Sequence, residues 1–220
     1  MEFIVDKDVV DLGVVVRGVE IIGTDNSYYP DSLRLYIKEH VEEILKEEYK
    51  QNNIIDGFYT LHNKVHVSKR KNIPASENLL KLLNKNQSLY SINPAADIYN
   101  LVSMETKLAL GAHDIDFIEG NMYLRLTNGN EKFIPLGQNE SKEFKEGVYS
   151  YIDDSNDILC YLEVRQVDKT KITEDSENIF YIIQGNENTS QEYVDSVAKH
   201  LIYITTHFLG GEGRLLNNRK

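Results

Sequence analysis

Most of the first half of the chain carries apolar residues at three- and four-residue spacing, which is the period of an amphipathic helix. This pattern predicts helices that begin at Asp31 or Ser32, after Gly57 and near Pro74. The exception is residues 12–23, a stretch rich in Val and Ile and bounded by glycines, which predicts a buried strand.

A further helix is predicted to begin at Asn93 and Pro94. Asparagine at the N-cap accepts a hydrogen bond from a free first-turn amide, and proline at the first helical position gives up no bond that the helix would make. Behind this cap, apolar residues recur at helical spacing, while Asp97 and Asn100 lie on a neighbouring face. The helix is therefore expected to present a carboxylate and an amide beside its core-facing surface.

After Gly120 the apolar period changes from helical to alternating. Residues 122–127 alternate, and Asn128 with Gly129 predicts a tight turn because both positions tolerate positive φ. The partner strand is expected over residues 132–136. Further strands are predicted over residues 148–152, 158–164 and 178–184.

A last helix is predicted near the C-terminal end of the sequence. Thr189 and Glu192 have the spacing of a capping box, and an apolar stripe follows them. The glycines at 210–211 are expected to end this helix rather than to cradle a phosphate. Residues 214–220 are predicted to be a loosely ordered tail that adds a second small basic cluster.

Composition places the chain among soluble globular proteins, with 41% hydrophobic and 27% charged residues. No apolar run approaches the roughly 18 residues that a membrane span needs, so no membrane association is expected. The first residues, MEFIVDKDVV, lack a basic segment followed by an apolar block, so we expect no secretory signal and a cytoplasmic location. A length of 220 residues fits one α+β domain over 1–220.

The net charge of −11 limits how the chain can bind nucleic acid, because gripping a phosphate backbone requires a basic surface. Lys69, Arg70 and Lys71 form the one basic triplet of the sequence, just before Pro74. They are the candidate RNA contacts, and the alternative is an ordinary charged surface loop. DNA is not an expected partner.

Three motifs in order, NPAADIYN, GAHDIDFIEG and YLRLTNGNEKFIPLG, resemble the B-three/B-four (B3/4) domain of the phenylalanyl-tRNA synthetase beta chain, and most of all its free-standing bacterial versions. The likeness runs from about 74 to 184. It implies a three-layer α+β fold with a β-sandwich-like core of unusual topology, flanked by helices. The strand and helices of 12–66 and the helix of 190–209 are expected to pack on that core.

The resemblance also implies a function. In the family, this domain binds tRNA and hydrolyses the ester of tRNA that was wrongly charged with tyrosine, holding the amino acid between helix and sheet. It implies a tRNA or aminoacyl-tRNA partner bound by its acceptor end, hydrolysis in trans, and no cofactor. The alternatives that keep the fold without hydrolysis are a non-catalytic RNA- or protein-binding module and an amino-acid sensor. The oligomeric state is left open.

Several of the family's polar pocket positions differ in this sequence. The family's helix asparagine matches Asn100, whereas Tyr99 replaces the threonine before it. The family's histidine falls on Gly111, with His113 two residues later in place of a phenylalanine, and its tyrosine-reading glutamate falls on Ile182. An apolar side chain there leaves a buried phenol hydroxyl unsatisfied, at a cost of roughly 1–3 kcal/mol, which argues against tyrosine as the substrate.

The residues that remain still suit ester hydrolysis, which needs a positioned water and donors to the developing oxyanion. Asn100 and His113 are the candidate catalytic residues, with backbone amides near Gly111 beside them. Asp97 and Asp114 are expected to support them from the helix and from a loop formed by residues 111–114. The alternative is that Asp114 caps its own turn and that His113 is a hydrogen-bonded structural residue.

Tyr99, Gly111, Arg125 and Arg165 complete the predicted substrate-binding set. A guanidinium suits a phosphate or a carboxylate, and the alternative for both arginines is an exposed ion pair.

A metal site is not expected. His62 and His66 have chelating spacing, but the sequence has no HExxH motif and suggests no third ligand. Cys160 is the only cysteine and lies in an apolar run, so a small buried hydrophobe is predicted there.

Overall fold

The computed structural model describes residues 1–47 and 51–216. Within these ranges the chain forms six α-helices, nine strands and a 3-10 turn at Ile115–Phe117. The helices are α1 (Lys7–Asp11), α2 (Asp31–Ile44), α3 (Asn53–Lys64), α4 (Ala75–Asn86), α5 (Pro94–Thr106) and α6 (Gln191–Leu209). The strands are β1 (Phe3–Val5), β2 (Val15–Ile22), β3 (Ala109–Asp114), β4 (Met122–Leu126), β5 (Tyr149–Asp153), β6 (Ile158–Tyr161), β7 (Arg165–Gln166), β8 (Ile179–Gly185) and β9 (Glu212–Leu216).

The strands form two sheets. The four-stranded sheet has the order β3-β8-β2-β9 and is antiparallel throughout. The five-stranded sheet has the order β1-β4-β5-β6-β7, with β1 parallel to β4 and the other pairs antiparallel. Both sheets therefore combine strands from the N-terminal segment with strands that lie more than a hundred residues later.

The four-stranded sheet is the middle layer of three. Every residue of β8 is buried. Tyr181 and Ile183 belong to the core that this sheet shares with α2, α4, α5 and α6, whereas Phe180 and Ile182 belong to the core between the two sheets. This alternation is what a strand buried on both faces produces, and it confirms the predicted three-layer α+β arrangement.

The two sheets pack closely together at Gly18. Phe3 of β1 packs against Phe180 of β8 with ring centroids 5.4 Å apart. A Cβ on Gly18 would lie 2.8 Å from Phe3 Cδ1 and 2.9 Å from Phe180 Cε2. The absence of a side chain on β2 at this point is therefore what lets the two rings fill the space between the sheets.

The local capping signals are largely confirmed. The Asn93 side chain accepts a hydrogen bond from the Ala96 amide at 2.9 Å at the start of α5. α6 ends at Leu209, where Gly210 and Gly211 have positive φ. The cap of α6 was predicted one residue early, because Ser190 caps it while the Thr189 hydroxyl bonds the Asn186 carbonyl.

The helix predicted after Gly57 begins earlier. Asn52 caps α3 through its side-chain oxygen, which accepts from the amides of Ile54 and Ile55. Gly57 lies inside the helix, where an added Cβ would meet the Asn186 side chain at 2.0 Å. Gly57 therefore does not mark the start of the helix. It lets the carboxamide of Asn186 pack against the helix backbone.

The predicted hairpin through Asn128 and Gly129 is wrong. Residues 132–136 form only isolated bridges, Lys132 with Asp157 and Pro135 with Val167, and β4 pairs with β5 instead. The carboxylate of Glu131 accepts from the amides of Asn128 and Gly129. This side chain closes the turn and directs the chain away from β4.

Two segments expected to be irregular are strands. Residues 111–114 belong to β3, which pairs with β8, and not to a loop. Residues 214–216 of the expected loose tail belong to β9, which pairs with β2, and Arg214 there forms an ion pair with Glu20. The rest of that tail, 217–220, lies outside the described residues. In both cases the bonds of a neighbouring strand fix a segment whose own residues favour no strand.

None of the helices within the described ranges has the length and apolar character needed to cross a lipid bilayer.

Replacing Gly18 with alanine is expected to lower the free energy of unfolding by about 1–3 kcal/mol, because the new methyl group overpacks the space between Phe3 and Phe180. Gly111→Ala is the matched control, since a Cβ there meets no atom within 4 Å and should change stability by less than about 0.5 kcal/mol. Urea denaturation measures both. Equal effects of the two substitutions would contradict the packing described for Gly18.

Candidate functional site

A cleft of about 720 Å³ opens where the five-stranded sheet separates from the middle sheet beneath α4 and α5. Its walls come from all three layers. Tyr99 and Asn100 of α5, Gly111 and His113 of β3, and Ile182 of β8 form one side. The five-stranded sheet and its turns supply Tyr151, Cys160, Glu163, Arg165 and Gln166, and the mouth is bordered by Ile73, Ile92, Leu136, Lys142 and Glu143.

Asn100 presents an unpartnered carboxamide to this cleft. The residue is only 6% exposed, yet its side chain bonds no group in residues 1–47 or 51–216. Its position follows from the Asn93 cap, which sets the start of α5 and hence the face on which Asn100 lies. A carboxamide that is largely buried and has no protein partner is available to form hydrogen bonds with a ligand in the cleft.

His113 lies in the same cleft and is neutral. Burial lowers the pKa of its imidazole to about 3. Its Nδ1 lies 2.7 Å from the Thr170 hydroxyl and 3.5 Å from Gln166 Nε2. Because the amide of Gln166 also donates to the Ala112 carbonyl, its nitrogen faces Nδ1 as a donor, so Nδ1 accepts and the ring carries its proton on Nε2.

The orientation of the His113 ring depends on two residues that the sequence did not single out. Gln166 belongs to β7 of the outer sheet and bonds β3 of the middle sheet, so it ties the two sheets together behind the ring. Thr170 follows on the same segment, and its carbonyl accepts from the Asp114 amide. Both residues act over more than fifty positions of sequence separation, which no local pattern indicates.

Asp97 and Asp114, predicted to support the catalytic pair, have structural partners and do not line the cleft. The Asp97 carboxylate accepts from Tyr29, from Ser91 and from the amide of Ile92, which fixes the segment that leads into α5. Asp114 accepts from the Asp116 amide and from the Ser176 hydroxyl. Its side chain thus caps the 3-10 turn after β3, which is the alternative that the sequence left open.

The two candidate arginines have different surroundings. Arg125 pairs with Glu131 at 2.5 Å and bonds Asn156 at 2.7 Å on the outer sheet, and it is not part of the cleft. Arg165 is exposed at the mouth of the cleft, and its guanidinium donates to the carbonyl of Lys71 at 3.2 Å. The structure therefore brings Arg165, and not Arg125, together with Asn100 and His113.

The basic triplet lies next to Arg165. Lys69, Arg70 and Lys71 are exposed, and Lys142 borders the mouth from another loop. In the part of the chain that the structure describes, none of these four residues nor Arg165 forms an ion pair. A chain with a net charge of −11 thus has a group of cations without ion-pair partners beside this cleft.

Tyr99 and Cys160 line the cleft without being prepared to ionise. Burial raises the pKa of the Tyr99 phenol to about 12, with the Asp97 carboxylate adding to the shift. Burial, with a smaller effect of Glu163, raises the pKa of the Cys160 thiol to about 12. A thiol in this state is a poor nucleophile, so Cys160 serves as a wall of the cleft.

Gly111 and Ile182 are cross-strand partners and both face the cleft. A Cβ at Gly111 would meet nothing within 4 Å, so the cleft keeps open space beside it. Ile182 is buried and offers only hydrocarbon. This wall of the cleft therefore contributes shape but no hydrogen-bonding side chain.

The floor of the cleft holds a carboxylate that sequence reasoning missed. Glu163 lies in the turn between β6 and β7 and bonds His62 and Tyr149, both at 2.6 Å. His62 is fully buried and uses its Nε2 for this bond rather than for a metal. Within the described ranges, no group of three or more His, Cys, Asp or Glu residues is arranged to hold a metal ion.

The family model of the B3/4 domain matches residues 63–198 of this chain. The phenylalanine–tRNA ligase beta subunit of Methanococcus vannielii is 31% identical in an alignment 106 residues long that covers 39% of this chain and 19% of that protein. The same subunit of Sulfolobus acidocaldarius is 30% identical in an alignment 131 residues long that covers 50% of this chain and 23% of that protein. The matches thus span about a fifth of the length of these relatives.

The fold is shared with a solved structure. An N-terminal fragment of the phenylalanyl-tRNA synthetase beta subunit from Pyrococcus horikoshii superimposes with a TM-score of 0.54 at 15% sequence identity, covering 99% of this chain and 51% of the fragment. At that identity the likeness concerns the fold alone, and it agrees with the architecture expected from the three motifs. Because the family model covers more than half of its residues, the chain belongs to the B3/4 domain family.

Proposed function

We propose that this chain binds the acceptor end of tRNA and hydrolyses a mischarged aminoacyl ester in trans. The observation that carries the proposal is the unpartnered carboxamide of Asn100, which shares one cleft with the neutral imidazole of His113. Membership of the B3/4 family and similarity to two tRNA ligase subunits support a tRNA-associated role. The proposal treats 1–220 as one functional unit, since strands from both ends of the sequence complete the middle sheet.

The two polar groups suit acyl transfer to water. His113 is a neutral imidazole that donates through Nε2. It can therefore bind the oxyanion of the transition state more strongly than the uncharged ester carbonyl of the substrate. The carboxamide of Asn100 both donates and accepts, so it can orient a water against the ester carbonyl. Neither group has to change its protonation state, because the proton that the attacking water loses can pass to the ribose oxygen that leaves as the ester C–O bond breaks.

The cations at the mouth suit the rest of the ligand. Arg165 and the triplet Lys69, Arg70 and Lys71 are free to neutralise phosphates of a nucleic-acid end that enters the cleft. The remainder of the surface is acidic on balance and would repel a longer phosphate backbone. This distribution favours a ligand that touches the protein by one terminus, as an acceptor end does.

A panel of mischarged aminoacyl-tRNAs tests the reaction. The wild type is expected to release the amino acid from at least one member, and Asn100→Ala and His113→Ala should each slow release by about 100-fold, because each removes a donor aimed at the developing charge. Asn86→Ala and His200→Ala, both at exposed helical positions, are the controls and should match the wild type. Release from no member of the panel would rule the hydrolysis out.

The cationic rim is tested by salt dependence. Replacing Lys69, Arg70 and Lys71 together with alanine should weaken tRNA binding and reduce the slope of log affinity against log salt by about 2, since each phosphate contact contributes about 0.7 to 0.9. Replacing Lys38, Lys46 and Lys199, three exposed lysines elsewhere, changes the net charge equally and should leave the slope unchanged. Equal slopes for both triple variants would remove the rim from the interface.

The neutral state of His113 predicts how stability depends on pH. The pKa of a histidine in an unfolded chain is about 6.5, and that of folded His113 is about 3, so the unfolded state binds more protons and stability falls as pH drops below 6.5. Between pH 7 and pH 5 this group alone should cost about 2 kcal/mol. The free energy of unfolding is measured at pH 7 and at pH 5. Between these values His113→Gln should lose about 2 kcal/mol less stability than the wild type, whereas His200→Gln, at an exposed position, should lose as much as the wild type. Equal pH sensitivity of the wild type and His113→Gln would contradict the assignment.

A further inference from the structure

The floor of the cleft contains a buried carboxylate whose hydrogen-bond partners are an imidazole and a phenol. Glu163 is 8% exposed. Its Oε1 accepts from His62 Nε2 and its Oε2 accepts from the Tyr149 hydroxyl, each at 2.6 Å. Tyr151 and Cys160 line the cleft around it. The carboxylate therefore lies among aromatic and apolar walls, where a charge is poorly solvated.

The phenol partner of this carboxylate carries no charge. Burial and the Glu163 carboxylate raise the pKa of Tyr149 well above its usual value, so the phenol stays protonated. His62 Nδ1 is buried without a partner among the described residues. An N–H at Nδ1 would be a buried donor without an acceptor, so the hydrogen bonds place the donating N–H of this ring on Nε2, which faces Glu163.

No lysine or arginine in residues 1–47 or 51–216 forms an ion pair with Glu163. Arg165, two residues away, turns instead to the carbonyl of Lys71. A buried charge without a counterion is expensive to maintain. The carboxylate at the cleft floor thus has no lysine or arginine counterion among the described residues.

The backbone that places Glu163 is strained. Leu162, the residue before it, has φ of +56°, in the left-handed region that a bulky side chain seldom adopts. The turn 162–164 connects β6 to β7 and sets the carboxylate into the cleft. Strain of this kind is concentrated at ligand sites.

We propose that Glu163 determines the specificity of the cleft by binding a protonated primary amine of the ligand. An ammonium supplies the missing positive charge together with donors for the remaining lone pairs of the carboxylate, whereas a hydroxyl supplies only a donor. The inference rests on the proposed function in taking this cleft as the ligand site. The amine has two possible sources in an aminoacyl ligand, the α-amino group and an amine at the end of the side chain.

Three small amides separate these sources in a binding titration. L-Norleucinamide carries only the α-amine, Nα-acetyl-L-lysinamide carries only a side-chain amine, and Nα-acetyl-L-norleucinamide carries neither. One of the first two should bind the wild type at least tenfold more tightly than the third, and Glu163→Gln should reduce that preference by roughly tenfold or more. The amide that binds more tightly shows whether the α-amine or the side-chain amine is recognised.

Two control variants test whether the preference depends on the charge of Glu163. Glu143→Gln removes a carboxylate at the exposed mouth of the same cleft and should keep the amine preference. Tyr149→Phe removes a donor to Glu163 but leaves its charge, so it should also keep the preference even if it destabilises the network. Thermal unfolding verifies that each variant is folded.

The proposal is overturned if neither amine binds the wild type more tightly than the acetylated norleucinamide, including the case in which none of the three binds. It is also overturned if folded Glu163→Gln keeps the full preference. Because the readout is binding, an amine preference without deacylation of any tRNA would sustain this inference and reject hydrolysis. Deacylation without an amine preference would do the opposite.

Discussion

The fold depends on a middle sheet that must be covered on both faces. Every residue of β8 is buried, and its side chains alternate between a helical core and a core shared with the outer sheet. Two different layers therefore have to meet one sheet, and Gly18 shows how closely the outer sheet approaches at one end. Beside Asn100, Gly111 and Ile182 the layers leave a space between them, and this space is the cleft. The candidate site thus exists because the outer sheet does not cover the whole face of the middle sheet.

Much of this architecture could be predicted from the sequence, because its signals are local. The cap at Asn93 and the glycine stop of α6 satisfy free backbone groups within one turn, and most strands alternate as expected. Some failures are non-local, and others arise from local side-chain bonds that the apolar pattern does not show. β3 exists because β8 requires a partner, although glycine, alanine and histidine favour no strand. The expected hairpin is absent because the Glu131 carboxylate takes the turn amides.

The candidate site divides along the same line. Asn100 and His113 could be singled out because a motif points to them, and the structure lines one cleft with both. Glu163 could not, since its partner His62 lies 101 residues away in the sequence. Gln166 likewise acquires its role only by bridging two sheets. A role that depends on the neighbours of a side chain in the folded protein cannot be predicted from a local sequence pattern.

The open space at Gly111 has a consequence for how this site can change over time. The strand carries no side chain there, no neighbouring atom lies where one would begin, and the residue faces the cleft. A mutation at this position can add a new chemical group without repacking either core. Descendants of the chain can therefore exchange one ligand preference for another through single steps, while the scaffold inherited with them stays the same.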